Sequence, residues 1–226
     1  MKKSEYIYKY PHPAVATDCV VFGFDGLDLK VLLIERGSEP FKGSWAFPGG
    51  FLNIDESAEQ GAIRELNEET GLRLSYLKQL GAFSGVDRDP RERVISIVFY
   101  ALTRDWDVKG GDDAADARWF SVDELPPLAF DHDVILRNAL RKLKEDIHFE
   151  PVAFSLLGDE FTMQQLQRLY ELVLGVRFDR RNFSKKMLQT GILDEVDAPD
   201  GKMRKFMFNS SNYEKFKKEN GFRLEF

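Results

Sequence analysis

Residues 50–72 read GFLNIDESAEQGAIRELNEETGL, a short loop followed by the pattern of one amphipathic helix. Asp55 or Ser57 is suited to cap the start of that helix, where acidic residues also favour the helix dipole. Gly71 is a usual residue at a helix end. The sequence therefore predicts a helix over residues 57–70.

Three glutamates of the predicted helix share one face. At about 100° per residue, Glu65, Glu68 and Glu69 fall within an arc of about 100°. Carboxylates this close repel one another unless a cation lies among them. Carboxylate oxygens suit Mg²⁺ or Mn²⁺, ions that bridge phosphate oxygens and activate water. The face predicts a metal site; for the glutamates alone the alternative is a solvated acidic surface. The neighbouring arc carries the residues expected to face a core, Ala62, Ile63 and Leu66.

Two further residues of the segment support a metal site. Arg64 is placed to hold Glu56 or Glu68 in position beside the metal ligands. Gly50 lies in a Pro-Gly-Gly turn, where a small residue lets the backbone approach a metal closely. We take Glu68, Glu69 and Arg64 as catalytic candidates. The metal-contact candidates are Gly50, Glu65, Glu68 and Glu69.

The segment matches every fixed position of G-x5-E-x7-R-E-U-x-E-E-x-G-U, where U is aliphatic. The matching residues are Gly50, Glu56, Arg64, Glu65, Leu66, Glu68, Glu69, Gly71 and Leu72. The chain therefore resembles the Nudix superfamily, whose members cleave a diphosphate linked to another group. A pattern this long and in this register is specific. The resemblance implies an α/β fold, the Nudix α/β/α sandwich.

The composition suits one large or two modest domains, with 226 residues that are 43% apolar and 31% charged. The single cysteine, Cys19, argues against disulfides and zinc clusters, as expected in a reducing cytosol. The start, MKKSEYIYKYPHPAV, lacks the apolar region of a signal peptide. No apolar run approaches the roughly 18 residues of a membrane span. We therefore expect a cytoplasmic protein without a membrane partner.

Charge is unevenly distributed along the chain. The net charge is −6, which argues against a general nucleic-acid binder. Residues 151–226 hold 13 Lys and Arg against 11 Asp and Glu, whereas residues 1–150 hold 19 against 27. The asymmetry suggests two parts with different partners, and ordinary scatter is the alternative.

The first 150 residues have the pattern of a mixed sheet between helices. Predicted strands cover residues 15–24, 29–35, 72–83, 93–102 and 117–120. A hairpin turn is expected at Asp25-Gly26 and a loop over residues 37–50. Asp131 is expected to cap a second helix over residues 133–147. Its apolar stripe consists of Ile135, Leu136, Ala139, Leu140 and Leu143. Glu150-Pro151 is the expected boundary between domains 1–150 and 151–226.

Residues 84–93, SGVDRDPRER, read either as an ordinary hairpin loop or as a substrate loop. In the second interpretation Arg88, Arg91 or Arg93 contacts a phosphate or a terminal ribose. The aromatic residues before the helix either stack on an adenine or pack the loop, and they are Phe41, Trp45 and Phe47. Our substrate-binding candidates are Arg88, Arg91 and Phe47.

Two aspartates after Gly110-Gly111 have two possible roles. Asp112 or Asp113 acts as general base or metal contact, or the pair is a solvated turn. Asp113 is our catalytic candidate. His132 is expected to belong to a helix start rather than to act as a catalytic acid.

Residues 151–226 have the plan of a winged helix-turn-helix. Thr162 and Gln165 form a capping-box pattern for one helix, which ends near Gly175. Its apolar stripe is Leu166, Leu169, Tyr170 and Val173. Asp179 is expected to cap a recognition helix over residues 180–190. Its inward residues are expected to be Phe183, Met187 and Leu188, and its outward ones Arg181, Ser184, Lys185 and Gln189.

A wing of two strands, residues 192–196 and 205–208, is expected to follow. The DNA-binding candidates are Arg180, Arg181, Ser184, Lys185, Lys202 and Arg204. The alternative is a helical cap that packs on the first domain or on a second subunit.

Further runs narrow the resemblance. Residues 85–91, 111–114, 117–120 and 128–132 look like the Nudix branch that includes bacterial ADP-ribose pyrophosphatases and the Nudix-related transcriptional regulators. Residues 154–157, 161–162, 166–171 and 179–183 look like the C-terminal domain of those regulators. The resemblance implies a dimer that senses a metabolite, often ADP-ribose, and binds an operator in NAD biosynthesis or pentose use. Many such regulators have a degenerate Nudix box, whereas here the box is complete.

Three hypotheses follow. The chain is a regulator that only senses its ligand, a plain Mg²⁺-dependent pyrophosphatase that converts ADP-ribose to AMP and ribose 5-phosphate, or both. In the second hypothesis the C-terminal part serves dimerisation. We prefer the third, because the complete box and the helix-turn-helix pattern each need a reason.

Overall fold

The computed structural model describes residues 9–74, 77–111, 114–196, 204–221 and 223–224. Its N-terminal part contains one mixed sheet and two long helices. The strands are β1 (Ala14–Phe24), β2 (Leu29–Arg36), β3 (Trp45–Ala46), β4 (Gly49–Phe51), β5 (Lys78–Phe83), β6 (Val94–Leu102) and β7 (Ala114–Ser121). The helices are α1 (Ala58–Thr70) and α2 (His132–Phe149). No helix in the described ranges is long and apolar enough to span a membrane.

The central strand β1 places the helices on opposite faces of the sheet. It runs parallel to β6 and antiparallel to β2 and β4. Because strand side chains alternate, Cys19 and Val21 pack towards Leu66 of α1. Val20 and Phe22 pack in the opposite core with α2. The predicted α/β/α sandwich is confirmed.

Local sequence explains where α1 begins and ends. Ser57 and Gln60 form a reciprocal capping box, and Gly71 closes the helix with a left-handed φ of 76°. Ala62 and Leu66 are buried as expected. Residues 37–50 were expected to be a loop only, yet they contribute β3 and β4, which are too short to have a visible period.

The C-terminal part is a winged helix. It consists of α3 (Val152–Leu156), β8 (Phe161–Thr162), α4 (Met163–Leu174), α5 (Arg180–Gln189), β9 (Leu193–Val196), β10 (Lys205–Phe208) and α6 (Ser210–Asn220). The predicted caps hold: the Thr162 hydroxyl accepts from the Gln165 amide, and the Asp179 carboxylate accepts from the Asn182 amide. Strand β10 pairs with both β8 and β9. The sequence did not reveal α3, β8 or α6.

The two parts share one apolar cluster. It continues from Phe22 of β1 through Leu143 of α2 to Leu169 of α4 and Phe183 of α5. Arg168 of α4 also donates to the Leu27 carbonyl at 2.8 Å in the β1–β2 turn. The winged helix therefore rests on the sandwich through packed side chains, and the proposed domain boundary at Glu150-Pro151 lies between α2 and α3.

Candidate functional site

Glu69 is the buried carboxylate of the α1 face. The residue is 6% exposed, and its Oε2 accepts a hydrogen bond from the Gly49 amide at 2.8 Å. Burial, together with the charges of Glu65 and Asp18, raises the pKa of this carboxyl to about 8 against the lowering effect of the Gly49 hydrogen bond. A carboxylate in this position is stabilised when a cation approaches it.

Arg64 organises the other carboxylates of the face. Its guanidinium donates to both oxygens of Glu56, at 2.9 and 2.6 Å. Its Nη1 also reaches Glu65 at 2.8 Å and Glu68 at 2.9 Å. The Arg64 hydrogen bonds lower the pKa of Glu56 to about 2. Burial raises the pKa of Glu65, whereas Glu68 is 42% exposed. Arg64 thus holds both Glu56 and Glu68, the two residues expected as its alternative partners, and Glu65 as well.

Gly50 lies against Glu65 and leaves no space for a side chain. A Cβ at this position would lie 2.3 Å from Glu65 Oε1. Among the described residues, no three acidic, histidine or cysteine side chains already converge as a metal cage. The side chains still fit a hard cation, because carboxylate oxygens are the ligands that such ions prefer. Glu65 and Glu68 accept hydrogen bonds from Arg64, and Glu69 lies next to them on one helix face. Glu65, Glu68 and Glu69 are the residues suited to hold such an ion.

A polar cavity opens beside this face. It is lined by Asp18, Arg36, Gly49, Gly50, Phe51, Arg88, Asp89, Arg91, Phe130 and His132, among others. Two of its three arginines are already neutralised. Arg88 donates to both oxygens of Asp131, at 3.1 and 2.7 Å, and Arg91 forms a bidentate pair with Asp89, at 3.0 and 2.7 Å. The substrate-binding candidates Arg88 and Arg91 therefore line the cavity, but their charge is largely committed.

Asp131 is the N-cap residue of α2 as predicted, but its side chain forms no cap hydrogen bond. Its carboxylate instead binds Arg88. Helix α2 begins at His132. Composition alone could not show that a residue 43 positions earlier competes for this carboxylate.

Arg36 is the cavity residue that sequence reasoning missed. Its guanidinium donates to the Pro40 carbonyl at 2.8 Å and the Ser38 carbonyl at 3.4 Å, and it lies 4.9 Å from the Phe130 ring centroid. No carboxylate of the described residues lies within ion-pair distance of it. Partial burial and the nearby Arg91 charge lower its pKa. The only available signal was its position at the end of a buried strand.

The Phe47 ring is buried. It is 1% exposed and stacks on His132 at 5.2 Å. The Phe47 amide donates to His132 Nδ1 at 3.0 Å, and burial lowers the pKa of this imidazole. Phe47 lines the cavity, and its role as a substrate contact stays a prediction, whereas His132 belongs to a helix start as expected. Phe41 and Phe51 are the exposed rings near the cavity, at 41% and 39%.

Two candidates lie outside the described residues. They are Asp113, the catalytic candidate, and Lys202, a DNA-binding candidate of the wing. Arg93, by contrast, is described and donates to the backbone carbonyls of Ser84 and Gly85 at 3.0 Å.

Helix α5 presents a basic face to solvent. Arg180, Arg181 and Lys185 are exposed, and Ser184 is partly so. In the part of the chain that the structure describes, none of the three cations has a carboxylate within ion-pair distance. Arg204 of the wing differs, because Glu195 on the paired strand binds it.

The prediction that Leu188 faces inward is wrong. It is 44% exposed, whereas Phe183 and Met187 are buried. Residue 188 lies about 100° further round the helix than residue 187, which carries it beyond the core-facing arc.

Residues 12–143 match the NUDIX domain family. The chain belongs to the Nudix family. Residues 153–205 of this Nudix protein match the NrtR DNA-binding winged helix domain. Nudix hydrolases generally use divalent metal ions, which agrees with the carboxylate face of α1.

Relatives of this Nudix protein include an enzyme and a transcriptional repressor. An ADP-ribose pyrophosphatase of Methanocaldococcus jannaschii is 46% identical over 132 residues, 58% of this chain and 76% of that protein. The ADPR responsive transcriptional repressor NtrR of Acinetobacter baylyi is 31% identical over 193 residues, 83% of this chain and 77% of that protein. Shewanella oneidensis NrtR, solved in complex with a 27mer DNA, has a TM-score of 0.74 at 27% identity, covering 93% of this chain and 99% of that one.

Proposed function

We propose that this Nudix protein is a transcriptional regulator that binds and hydrolyses an ADP-ribose-like nucleoside diphosphate sugar, and binds operator DNA through its winged helix as a homodimer. The observation that carries the proposal is the coexistence of an intact carboxylate face on α1 with the exposed cations Arg180, Arg181 and Lys185 on α5. The similarity to both a pyrophosphatase and a repressor supports it.

The hydrolytic part assigns a role to each residue of α1. Glu65, Glu68 and Glu69 would hold Mg²⁺, which supplies charge neutralisation of the diphosphate and an activated water. Arg64 keeps Glu65 and Glu68 at the entrance of the site through hydrogen bonds of 2.8 and 2.9 Å. Gly49 fixes the Glu69 carboxylate through its amide. The products from ADP-ribose would be AMP and ribose 5-phosphate.

A methyl group at residue 50 is expected to disturb the site while the fold persists. The clash at 2.3 Å involves the end of the Glu65 side chain, so the carboxylate moves rather than the backbone. We expect Gly50→Ala to lower AMP release from ADP-ribose about tenfold or more. Gly85→Ala is the control, since its Cβ would meet Arg88 at an ordinary 3.7 Å. Equal turnover in both variants would contradict this role of Gly50.

Substrate recognition is assigned to Arg36. It is half-buried, it faces the cavity, and its charge is not neutralised by a described carboxylate, so a phosphate oxygen of the substrate is the matching anion. Phe41 and Phe51 are the exposed rings available to a base or a sugar. Arg88 and Arg91 would shape the cavity through their aspartate pairs.

Arg36→Ala is expected to lower kcat/KM for ADP-ribose by about tenfold to fiftyfold, because a charge-assisted hydrogen bond is lost. The measurement is steady-state AMP release at saturating Mg²⁺. Arg93→Ala removes an equal charge that is bonded only to backbone carbonyls, and we expect it to stay within about twofold of wild type. A larger effect at Arg93 than at Arg36 would transfer the role to the loop.

The DNA-binding part rests on the exposed cations of α5. Arg180, Arg181 and Lys185 would contact phosphates and base edges, and Ser184 would add a hydrogen-bonding hydroxyl. Lys202 and Arg204 would contact the neighbouring backbone, with Arg204 leaving Glu195 to do so.

Two assays on one preparation test the proposed function. The first measures AMP release from ADP-ribose with Mg²⁺, and the second measures binding of a duplex that the protein selects from a randomised pool. Both activities are expected, and duplex binding should weaken steeply with salt. Binding without turnover would favour a regulator that only senses its ligand, and turnover without binding would favour a plain pyrophosphatase.

A further inference from the structure

Residues 103–111 form a loop, here called the strap, that contacts both helix α1 and the winged helix. It leaves β6 at Thr103 and returns to β7 after Gly111. At its first end, Arg104 donates to the Leu157 carbonyl at 3.0 Å and to the Asp159 carboxylate at 2.7 Å. Both partners lie between α3 and β8, in the winged helix part.

The other end of the strap closes the C-terminus of α1. The last carbonyls of a helix have no partner within the helix. Here the Lys109 amide donates to the Thr70 carbonyl at 3.1 Å, and the Gly111 amide donates to the Glu69 carbonyl at 3.2 Å. The approach is close, since a Cβ on Gly111 would lie 2.5 Å from the Glu68 carbonyl oxygen.

The middle of the strap is held to the sheet. The Trp106 ring lies 4.8 Å from the Trp119 ring of β7, and a Cβ on Gly23 of β1 would meet Trp106 at 2.9 Å. The Asp105 amide also donates to Thr103 Oγ1 at 3.0 Å. The ring contacts hold Trp106 against the sheet although this residue is 38% exposed, and hydrogen bonds of Arg104, Lys109 and Gly111 fix the two ends of the strap.

Glu69 is the residue at which the cavity and the strap meet. Its carboxylate accepts from Gly49 at the cavity wall, and its carbonyl accepts from Gly111 of the strap. A ligand that draws the carboxylate towards itself also acts on the peptide that carries the strap.

We propose that the strap couples ligand binding at α1 to the placement of the winged helix, with Arg104 as the contact that transmits the change. The proposal rests on the proposed function, because it needs a ligand at α1 and an operator at α5. The coupling is reciprocal: operator binding changes ligand affinity by the same factor.

The chain contains a matched control. Arg168 also joins the two parts through one backbone carbonyl and one aspartate, Leu27 at 2.8 Å and Asp28 at 3.5 Å. It touches neither the strap nor α1. Arg104→Ala and Arg168→Ala thus remove the same kind of contact across the same two parts, and only the first breaks the connection to the catalytic helix.

The experiment measures operator affinity of full-length protein with and without ADP-ribose, in Ca²⁺ in place of Mg²⁺ to slow turnover. For wild type and Arg168→Ala we expect the same ratio of the two affinities. For Arg104→Ala we expect ADP-ribose to change operator affinity at least about fivefold less than in the wild type, so that the ratio approaches one. Ligand-free operator affinity should stay within about threefold of wild type. Gly111→Ala, which pushes the strap from α1, is expected to lose the ratio as well.

The outcomes separate the two proposals. A wild-type ratio in Arg104→Ala and Gly111→Ala would overturn the strap as the coupling element and leave the proposed function intact. Equal loss in Arg104→Ala and Arg168→Ala would also overturn it, because any contact between the parts would then suffice. Absence of operator binding in the wild type would overturn the proposed function, and the strap proposal with it.

Discussion

Replacing Glu69 with glutamine is expected to lower kcat for AMP release from ADP-ribose by about 10³-fold. Glutamine has the same shape, and its side-chain oxygen can still accept the 2.8 Å hydrogen bond from the Gly49 amide. Only the negative charge at the α1 face is lost. The fold should persist, because an uncharged group is easier to bury at this 6% exposed position than a carboxylate.

The measurement is single-turnover AMP release with excess enzyme at several Mg²⁺ concentrations. Glu59→Gln is the matched control, since Glu59 lies in the first turn of the same helix and is exposed. It should leave kcat within about twofold. Turnover of Glu69→Gln near the wild-type rate would remove this carboxylate from the catalytic group, and a drop equal in both variants would point to the helix rather than to the site.

Reversing two charges on α5 is the second large effect. Arg181→Glu combined with Lys185→Glu is expected to weaken operator binding about 10³-fold at moderate salt, because two attractive phosphate contacts become repulsive. Hydrolysis of ADP-ribose should remain within about twofold of wild type, since neither side chain lines the cavity beside α1.

The control for this double variant carries the same change of charge on α2. Arg141 and Lys144 are exposed there, and Arg141→Glu with Lys144→Glu should leave operator affinity within about threefold. The slope of log affinity against log salt should also become shallower in the α5 variant only. Undiminished binding by the α5 variant would show that α5 is not the recognition helix.

The sequence was most informative where one local pattern determines the structure. The capping box at Ser57, the left-handed Gly71 and the regular spacing of Glu65, Glu68 and Glu69 all depend on neighbours within one helix. The same holds for Thr162 and Asp179 in the winged helix. Such interactions can be inferred from spacing alone.

Partners that are distant in the chain account for what the sequence could not show. Asp131 is the N-cap residue of α2, yet its carboxylate binds Arg88 instead of the helix backbone. The bond to Asp131 neutralises Arg88, whereas Arg36 lies in the cavity without a carboxylate partner among the described residues. Phe47 is an aromatic residue of the kind that stacks on a ligand, yet its burial against His132 depends on packing between the β3–β4 connection and the start of α2. Its exposure is a tertiary property that no local pattern encodes.

The carboxylate face of α1 suits a hard cation, and Arg36, which has no carboxylate partner among the described residues, suits an anionic ligand. The residues on α5 constrain only the sign of the DNA-binding surface.

One experiment tests whether a single chain both changes its DNA binding in response to its ligand and hydrolyses that ligand. Purified protein is bound to a fluorescent duplex of its selected operator, ADP-ribose is added with Mg²⁺, and anisotropy and AMP are followed together. We expect anisotropy to change at once and to return to its starting value as AMP reaches the amount of ADP-ribose added, whereas Glu69→Gln holds the changed value. A change that persists in the wild type after all ADP-ribose is consumed, or no change at any ADP-ribose concentration, would contradict it.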